Sequence, residues 1–257
     1  MSDTPSLSRR RFLADVSVLA LALGHARLLM ASPRVAGAHD VRQWLEQVST
    51  LGQQVQKGAI EANVWRQQID ALNTSVALSE WLPALQFDRA LQAMKHDQKD
   101  PAKTFVRLAD VDGRYAEARF AVAYFVFARG QVITPHGHRG MLSAHAVVAG
   151  DLHVRTFDRL GTEPDALIIR PRLDQIAEPG FSAAIGEEEG NIHWFVARKD
   201  GSATLDVIVQ DVDVNGRGFK LDLIDPRQGV PLDAGRIRAP LLTWAESSRR
   251  YQAEGEA

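Results

Sequence analysis

The sequence of 257 residues predicts a mainly β fold, a sandwich or barrel, with an α-helical extension on its N-terminal side. From Asp40 to Lys99 apolar residues recur every three to four positions, which is the spacing of amphipathic helices. After Pro101 the pattern changes to ten short runs of β-forming residues separated by turn residues. Ten strands at this spacing are typical of an all-β sandwich or barrel.

The first 38 residues have the features of an export signal. Ser8-Arg9-Arg10-Arg11-Phe12-Leu13 precedes an apolar run from Val16 to Leu23, and Ala36-Gly37-Ala38 offers small residues at a cleavage point. The arrangement resembles a twin-arginine signal. That resemblance predicts export in the folded state, recognition by the twin-arginine export machinery, and a periplasmic or secreted location.

Charge and composition exclude several classes of protein. Asp15, His25 and Arg27 interrupt the apolar run, which is shorter than the roughly 20 residues of a spanning helix, so no stable membrane anchor is expected. Cleavage after Ala38 would remove five of the 30 basic and two of the 32 acidic residues, leaving a formal charge of −5. Nucleic acid is not an expected partner of such a chain. Without cysteine, any metal must bind through nitrogen or oxygen.

The chain divides by pattern into four segments: a signal at 1–38, a helical extension at 39–100, a barrel at 101–226, and a C-terminal loop with a short helix at 227–257. Three short helices fit the extension. Asp40 is a candidate N-cap for the first, and Pro83 is a candidate first residue of the last. In the C-terminal segment, a short helix is expected around Leu241 to Tyr251.

Three histidines form a candidate metal site. Residues two apart in an extended segment face the same side, so His136 and His138 can present their imidazoles together. His193 follows the turn at Gly190-Asn191-Ile192 and is the natural third ligand from a distant strand. His145 lies on the same side of its strand as Ser143, and its role as a fourth ligand or as a neighbour of the ligands is left open.

The motifs around these histidines resemble the cupin superfamily over about residues 104–224. Within it, the closer resemblance is to the thiol dioxygenases, the plant cysteine oxidases and cysteamine dioxygenase. His136-Gly137-His138-Arg139-Gly140-Met141 is similar to their HxHPGM segment, with Arg139 in place of proline. The other matches, in chain order, are the hairpin Gly150-Asp151-Leu152-His153-Val154, the GGNxH-like segment Gly190-Asn191-Ile192-His193, and the LDV strand Ala203-Thr204-Leu205-Asp206-Val207.

The resemblance implies a cupin jelly-roll barrel whose metal ligands are His136, His138 and His193, with Fe(II) as the metal. Most cupins add a glutamate shortly after the second histidine, but Leu142 and Ser143 occupy those positions here. A three-histidine site without a carboxylate is what the thiol dioxygenases use. Half of the coordination sphere would remain open for a thiolate, an amine and dioxygen. Zinc or manganese would also suit these ligands.

Two residues are candidates for substrate binding. Phe105-Val106-Arg107 resembles the tyrosine-x-arginine segment by which some thiol dioxygenases hold a carboxylate, and Tyr124 is placed to project a hydroxyl into a barrel. A solvated arginine and a packing tyrosine are the alternatives. The cysteine and tyrosine that cross-link in some members have no counterpart, and Gln210-Asp211-Val212-Asp213 replaces a proline-proline-tyrosine segment.

The resulting hypothesis is an exported mononuclear non-haem Fe(II) dioxygenase that acts on a small thiol-type substrate and O2. A non-catalytic metal- or ligand-binding cupin is one alternative. A zinc-dependent hydrolase or isomerase on the same scaffold is another, because a fold does not determine a function. A homodimer is compatible with a cupin, since cupins often pair through exposed strands.

Overall fold

The computed structural model describes residues 38–92, 99–212 and 218–251. The expected signal at 1–38 lies outside these residues except for Ala38, so export remains a prediction. In the described part of the chain, no helix is both long and apolar enough to cross a membrane.

The N-terminal extension is helical, as predicted, but its described residues form four helices instead of three. They are α1 (Ala38–Gln56), α2 (Ala62–Ser75), α3 (Leu78–Ala84) and α4 (Phe87–Gln92). Asp40 lies inside α1 and does not cap it. Pro83 is the sixth residue of α3 and does not begin a helix; α3 ends at the next residue.

Twelve strands follow in the described residues, with one helical turn, α5 (Leu108–Val111), after the first. The first six strands are β1 (Ala102–Phe105), β2 (Phe120–Phe127), β3 (Val132–Arg139), β4 (Met141–Ala149), β5 (Leu152–Thr162) and β6 (Ala166–Ala177). The other six are β7 (Ser182–Ile185), β8 (Ile192–Ala197), β9 (Ser202–Gln210), β10 (Lys220–Ile224), β11 (Val230–Pro231) and β12 (Ile237–Leu242).

The strands form two sheets. The five-stranded sheet has the order β1-β2-β9-β4-β7, and the seven-stranded sheet has the order β10-β3-β8-β5-β6-β12-β11. Helix α2 packs on β4 and β7, and α4 packs on β2, so the helices cover one face of the five-stranded sheet. The other face looks toward the seven-stranded sheet, where Phe127 and Val147 pack with Val154 and Phe195. The predicted mainly β fold with an N-terminal helical extension is confirmed.

The C-terminal segment differs from its prediction. Where a loop was expected after residue 226, β12 pairs with β6 and with β10 and so extends the seven-stranded sheet. Pro240 inside this run weakens its strand signal in the sequence, because proline cannot donate to a sheet ladder. The predicted terminal helix is present as α6 (Trp244–Tyr251).

Candidate metal centre

The three candidate ligands come from two neighbouring strands. His136 and His138 lie on β3, and His193 lies on β8, which pairs antiparallel with β3. A register shift after Ile133 brings His136 directly opposite His193. Residues that are far apart in sequence therefore meet on the face of the seven-stranded sheet that looks into the barrel.

The three rings form a compact group. Their centroids are 4.1 Å apart for His136 and His193, 5.4 Å for His138 and His193, and 6.0 Å for His136 and His138. One nitrogen from each ring lies within 4.8 Å of the other two, so the three could hold one metal ion. His138 and His193 are buried, and His136 is half-buried.

Backbone carbonyls orient two of the rings. His136 Nδ1 donates to the carbonyl of Thr134 at 2.8 Å, and His138 Nδ1 donates to the carbonyl of Met141 at 3.0 Å. Because a carbonyl only accepts, both Nδ1 atoms carry the hydrogen and both Nε2 atoms keep a lone pair. His193 Nδ1 is buried without a hydrogen-bond partner among the described residues. This donor set fits a divalent metal that accepts neutral imidazoles, with the orientation of two rings already set.

Burial keeps these histidines uncharged. Loss of hydration lowers the pKa of His136 to about 4 and that of His138 to about 3, and it lowers the pKa of His193 well below its usual value. The proximity of His136 lowers the pKa of the other two further. Near neutral pH the rings are therefore ready to bind a metal without first losing a proton.

Asn191 joins the two ligand segments. Its Nδ2 donates to the carbonyl of His138 at 2.8 Å and to that of Gly186 at 2.9 Å, and the side chain is fully buried. A Cβ added at Gly137 would overlap Asn191 Oδ1. The glycine between the two histidines is thus explained by the close approach of Asn191, and the HGH and GNxH segments act as one structural unit.

The acidic residue nearest to His193 in sequence is engaged elsewhere. Glu189 binds Asn63 and Arg66 of α2 at 2.7 and 2.8 Å. Among the described residues, the three histidines are the one group of three or more histidines or carboxylates close enough to share an ion.

His145 lies beside the cluster and not in it. Its ring centroid is 4.9 Å from that of His193, but its Nδ1 donates to Asp206 Oδ2 at 2.7 Å and its Nε2 is 3.1 Å from Ser143 Oγ. Both ring nitrogens therefore have protein partners. Asp206 was not among the site residues predicted from the sequence. An acidic residue inside the apolar run of β9 was a usable signal, because a buried acid needs a partner.

The two substrate-binding candidates lie elsewhere. Tyr124 is fully buried on the helix-covered face of β2, where its ring centroid is 5.0 Å from that of Phe87. The expectation that its hydroxyl projects into the barrel is wrong, because side chains alternate along a strand and Tyr124 has the helix-facing register. Arg107 is at the surface, with 61% of its side chain exposed, and lies 3.8 Å from Asp110. This is the solvated arginine of the alternative interpretation.

The two facing sheets and the three-histidine group define a β-barrel protein with a site that could hold a metal ion. A family model, PCO_ADO, matches residues 75–210, which is more than half of the chain. The chain belongs to this family, the cysteine and cysteamine dioxygenases of the cupin fold. No curated protein sequence matches significantly.

Several solved structures are similar at low identity. KdgF from Halomonas sp. is 19% identical and aligns over 44% of this chain and 82% of its own, with a TM-score of 0.31. TT1209 from Thermus thermophilus is 18% identical over 48% of this chain and 93% of its own, with a TM-score of 0.33. Procruciferin, an 11S globulin from Brassica napus, is 10% identical over 53% of this chain and 30% of its own, with a TM-score of 0.37. Similarities of this size carry no functional argument.

Proposed function

We propose that this protein is an exported, mononuclear non-haem Fe(II) dioxygenase that oxidises a small thiol. The observation that supports this most is the cluster of three uncharged histidines without a carboxylate, in a chain of the cysteine and cysteamine dioxygenase family. The family membership supports the thiol dioxygenase class. The identity of the metal, the export and the substrate are proposals that go beyond family membership.

The residues of the site favour an anionic ligand. His136, His138 and His193 would hold the ion through uncharged nitrogens, so none of them compensates its double positive charge. A thiolate compensates part of that charge when it binds, which favours a thiol over a neutral alcohol. Bound ferrous iron would supply the electron transfer that lets dioxygen react with the thiolate.

The proposed reaction needs no other reactant. A thiol R–SH and one O2 give a sulfinic acid R–SO2H, in which both oxygen atoms have bonded to sulfur. The sulfur is oxidised by four electrons and the dioxygen takes up the same four, so no external reductant is consumed.

Metal content and oxygen uptake test the proposal together. Wild-type protein reconstituted anaerobically with Fe(II) should hold nearly one iron per chain and consume O2 when small thiols are added, with a product 32 Da heavier than the thiol. His193→Ala should lose both the iron and the uptake. His153→Ala is the matched control, because that histidine pairs with Asp174 and stands outside the three-histidine group.

Each contrary outcome has a meaning. Thiol-dependent oxygen uptake that persists in His193→Ala would show that the cluster is not the site of the reaction. Stoichiometric zinc in protein from its native compartment would favour a hydrolase or isomerase. Protein that binds no metal would favour a ligand-binding barrel.

Export has its own test. Replacing Arg9 and Arg10 by lysine should retain the protein in the cytoplasm, because the proposed export machinery reads the arginine pair. Folding before export would let the site take up its metal away from competing periplasmic zinc and copper. Unchanged export of the lysine variant would contradict the proposed route.

The oligomeric state has a separate test. The molar mass from light scattering would decide whether the exported protein is a homodimer.

A further inference from the structure

A chain of three buried polar side chains runs from the five-stranded sheet to a metal-ligand candidate. Asp206 on β9 is the cross-strand partner of His145 on β4, and Ser143 stands two residues before His145 on the same face. All three side chains are more than nine-tenths buried. Ser143 Oγ lies 3.1 Å from His145 Nε2 and 3.4 Å from His138 Nε2.

The direction of each hydrogen bond follows from its acceptor. The carboxylate of Asp206 only accepts, so His145 donates from Nδ1, and its Nε2 is the ring nitrogen that faces Ser143 Oγ as an acceptor. The single hydroxyl hydrogen of Ser143 then has two possible acceptors, the Nε2 atoms of His145 and of His138. The contact to His145 is shorter by 0.3 Å and is the better hydrogen bond.

This choice matters for the metal. His138 Nε2 is the nitrogen left for an ion, because His138 Nδ1 is held by the carbonyl of Met141. A hydroxyl hydrogen pointed at His138 Nε2 would compete with the ion for the same lone pair. A hydroxyl hydrogen held by His145 leaves that lone pair available.

We propose that Asp206 and His145 are positioning residues that hold the hydroxyl hydrogen of Ser143 away from His138, so that His138 can ligate the metal. The inference rests on the proposed metal-binding function of the cluster. It assigns His145 a task that does not require it to touch the ion.

The test measures the dissociation constant of Co2+, added anaerobically to metal-free protein in competition with a chelator. The main variant replaces both members of the pair, His145→Leu with Asp206→Leu, so that no carboxylate is buried alone. Ser143 then has His138 as its remaining acceptor. Affinity for Co2+ should fall about five- to ten-fold, the size of one hydrogen bond. Adding Ser143→Ala to that variant should restore the affinity to within about two-fold of wild type.

Single variants keep the proposal testable if the double variant fails to fold. Ser143→Ala alone should bind Co2+ within about two-fold of wild type, because the hydrogen it removes points elsewhere. His145→Gln should do the same, since an amide can donate to Asp206 and accept from Ser143. Thr204→Val is the matched control, because Thr204 is a buried hydroxyl on the strand of Asp206 that has no hydrogen-bond partner in the described part of the chain.

Three results would overturn the inference: Ser143→Ala binding several-fold tighter than wild type, the double variant binding as wild type, or a weakened double variant that Ser143→Ala does not rescue. The last would mean that the pair supports the fold alone. If wild-type protein itself binds neither Co2+ nor Fe(II), the proposed function fails instead. The two failures are therefore distinguishable.

Discussion

The two faces of the five-stranded sheet are equally buried but are built from different residues. On β4 and β9, the face toward the helices carries Leu142, Ala144, Leu205 and Val207, which pack in one apolar cluster with α1 to α4. The opposite face of the same strands carries Ser143, His145, Thr204 and Asp206 and looks toward the histidines.

The comparison shows that burial alone does not identify a functional surface. Both faces exclude water, but packing of apolar volume stabilises the helix-covered face, while the inner face depends on hydrogen-bond partners for buried polar groups. Mutations on the two faces should therefore destabilise the protein for different physical reasons.

On the inner face, removing one member of the polar pair should cost more than removing both. His145→Leu leaves the Asp206 carboxylate buried without its hydrogen-bond partner and should lower the free energy of unfolding by about 3 kcal/mol or more. Urea unfolding of the metal-free protein measures this. The double variant with Asp206→Leu should recover at least half of the loss. Equal losses for the single and double variants would show that volume, and not pairing, governs this face.

On the helix-covered face, the volume of side chain that a mutation removes should determine the loss of stability. Leu205 is fully buried in the apolar cluster, so Leu205→Ala should lower the free energy of unfolding by about 2–5 kcal/mol. The stoichiometry of bound Co2+ in the folded protein should stay unchanged. Leu160→Ala, at a residue that is 44% exposed, is the control and should change stability by less than about 0.5 kcal/mol. Loss of metal binding in Leu205→Ala would contradict the prediction that the helix-covered face affects stability but not metal binding.

Replacing Gly137, the glycine between two candidate ligands, should have an effect of intermediate size. Gly137→Ala pushes a methyl group into Asn191 and should destabilise the metal-free protein by about 1–3 kcal/mol. It should also weaken Co2+ binding, because Asn191 holds the carbonyl of His138. Gly113→Ala, where an added Cβ meets nothing within 4 Å, is the control. An unchanged affinity in Gly137→Ala would mean that the ligand segment tolerates displacement.

The histidine cluster should make stability depend on pH. Burial lowers the folded-state pKa of His136 to about 4 and of His138 to about 3, while histidines of the unfolded chain titrate near 6.5. As the pH falls below 6.5 the unfolded chain takes up protons first, so stability is complete above that pH and is lost toward pH 4. The expected slope is about 1.4 kcal/mol per pH unit for each histidine.

Urea unfolding of metal-free protein between about pH 7 and pH 5 measures that slope. Replacing His136 and His138 together by asparagine should reduce it. A slope that is the same in both proteins would assign the pH dependence to other groups.

Much of this architecture could be predicted from the local pattern. The 3.6-residue spacing of Trp44, Val48 and Val55 predicted a helix that packs by one face, and the structure places these residues in the apolar cluster. The two-residue spacing of His136 and His138 predicted that they share a face. These predictions hold because periodicity depends on backbone geometry, which is local.

The errors arose where a residue's role depends on distant partners. The sequence left open whether Tyr124 faces the barrel or packs, and the outcome depended on which face of β2 the helices cover. The strand at Ile237–Leu242 was missed because its partners, β6 and β10, lie far away in the chain. Arg107 looked like a substrate ligand by its neighbours in sequence, but it lies at the surface beside Asp110.

Local spacing and the order of motifs along the chain were enough to predict the fold class, the helical extension and the three candidate metal ligands. The tertiary structure decided that His136 pairs with His193, that Asn191 fills the space beside Gly137, and that Asp206 and Ser143 occupy both nitrogens of His145. Except for the contact between Ser143 and His145, which lie on one strand, these contacts join strands that are tens of residues apart. Their register is set by packing across the whole barrel, which no local pattern contains.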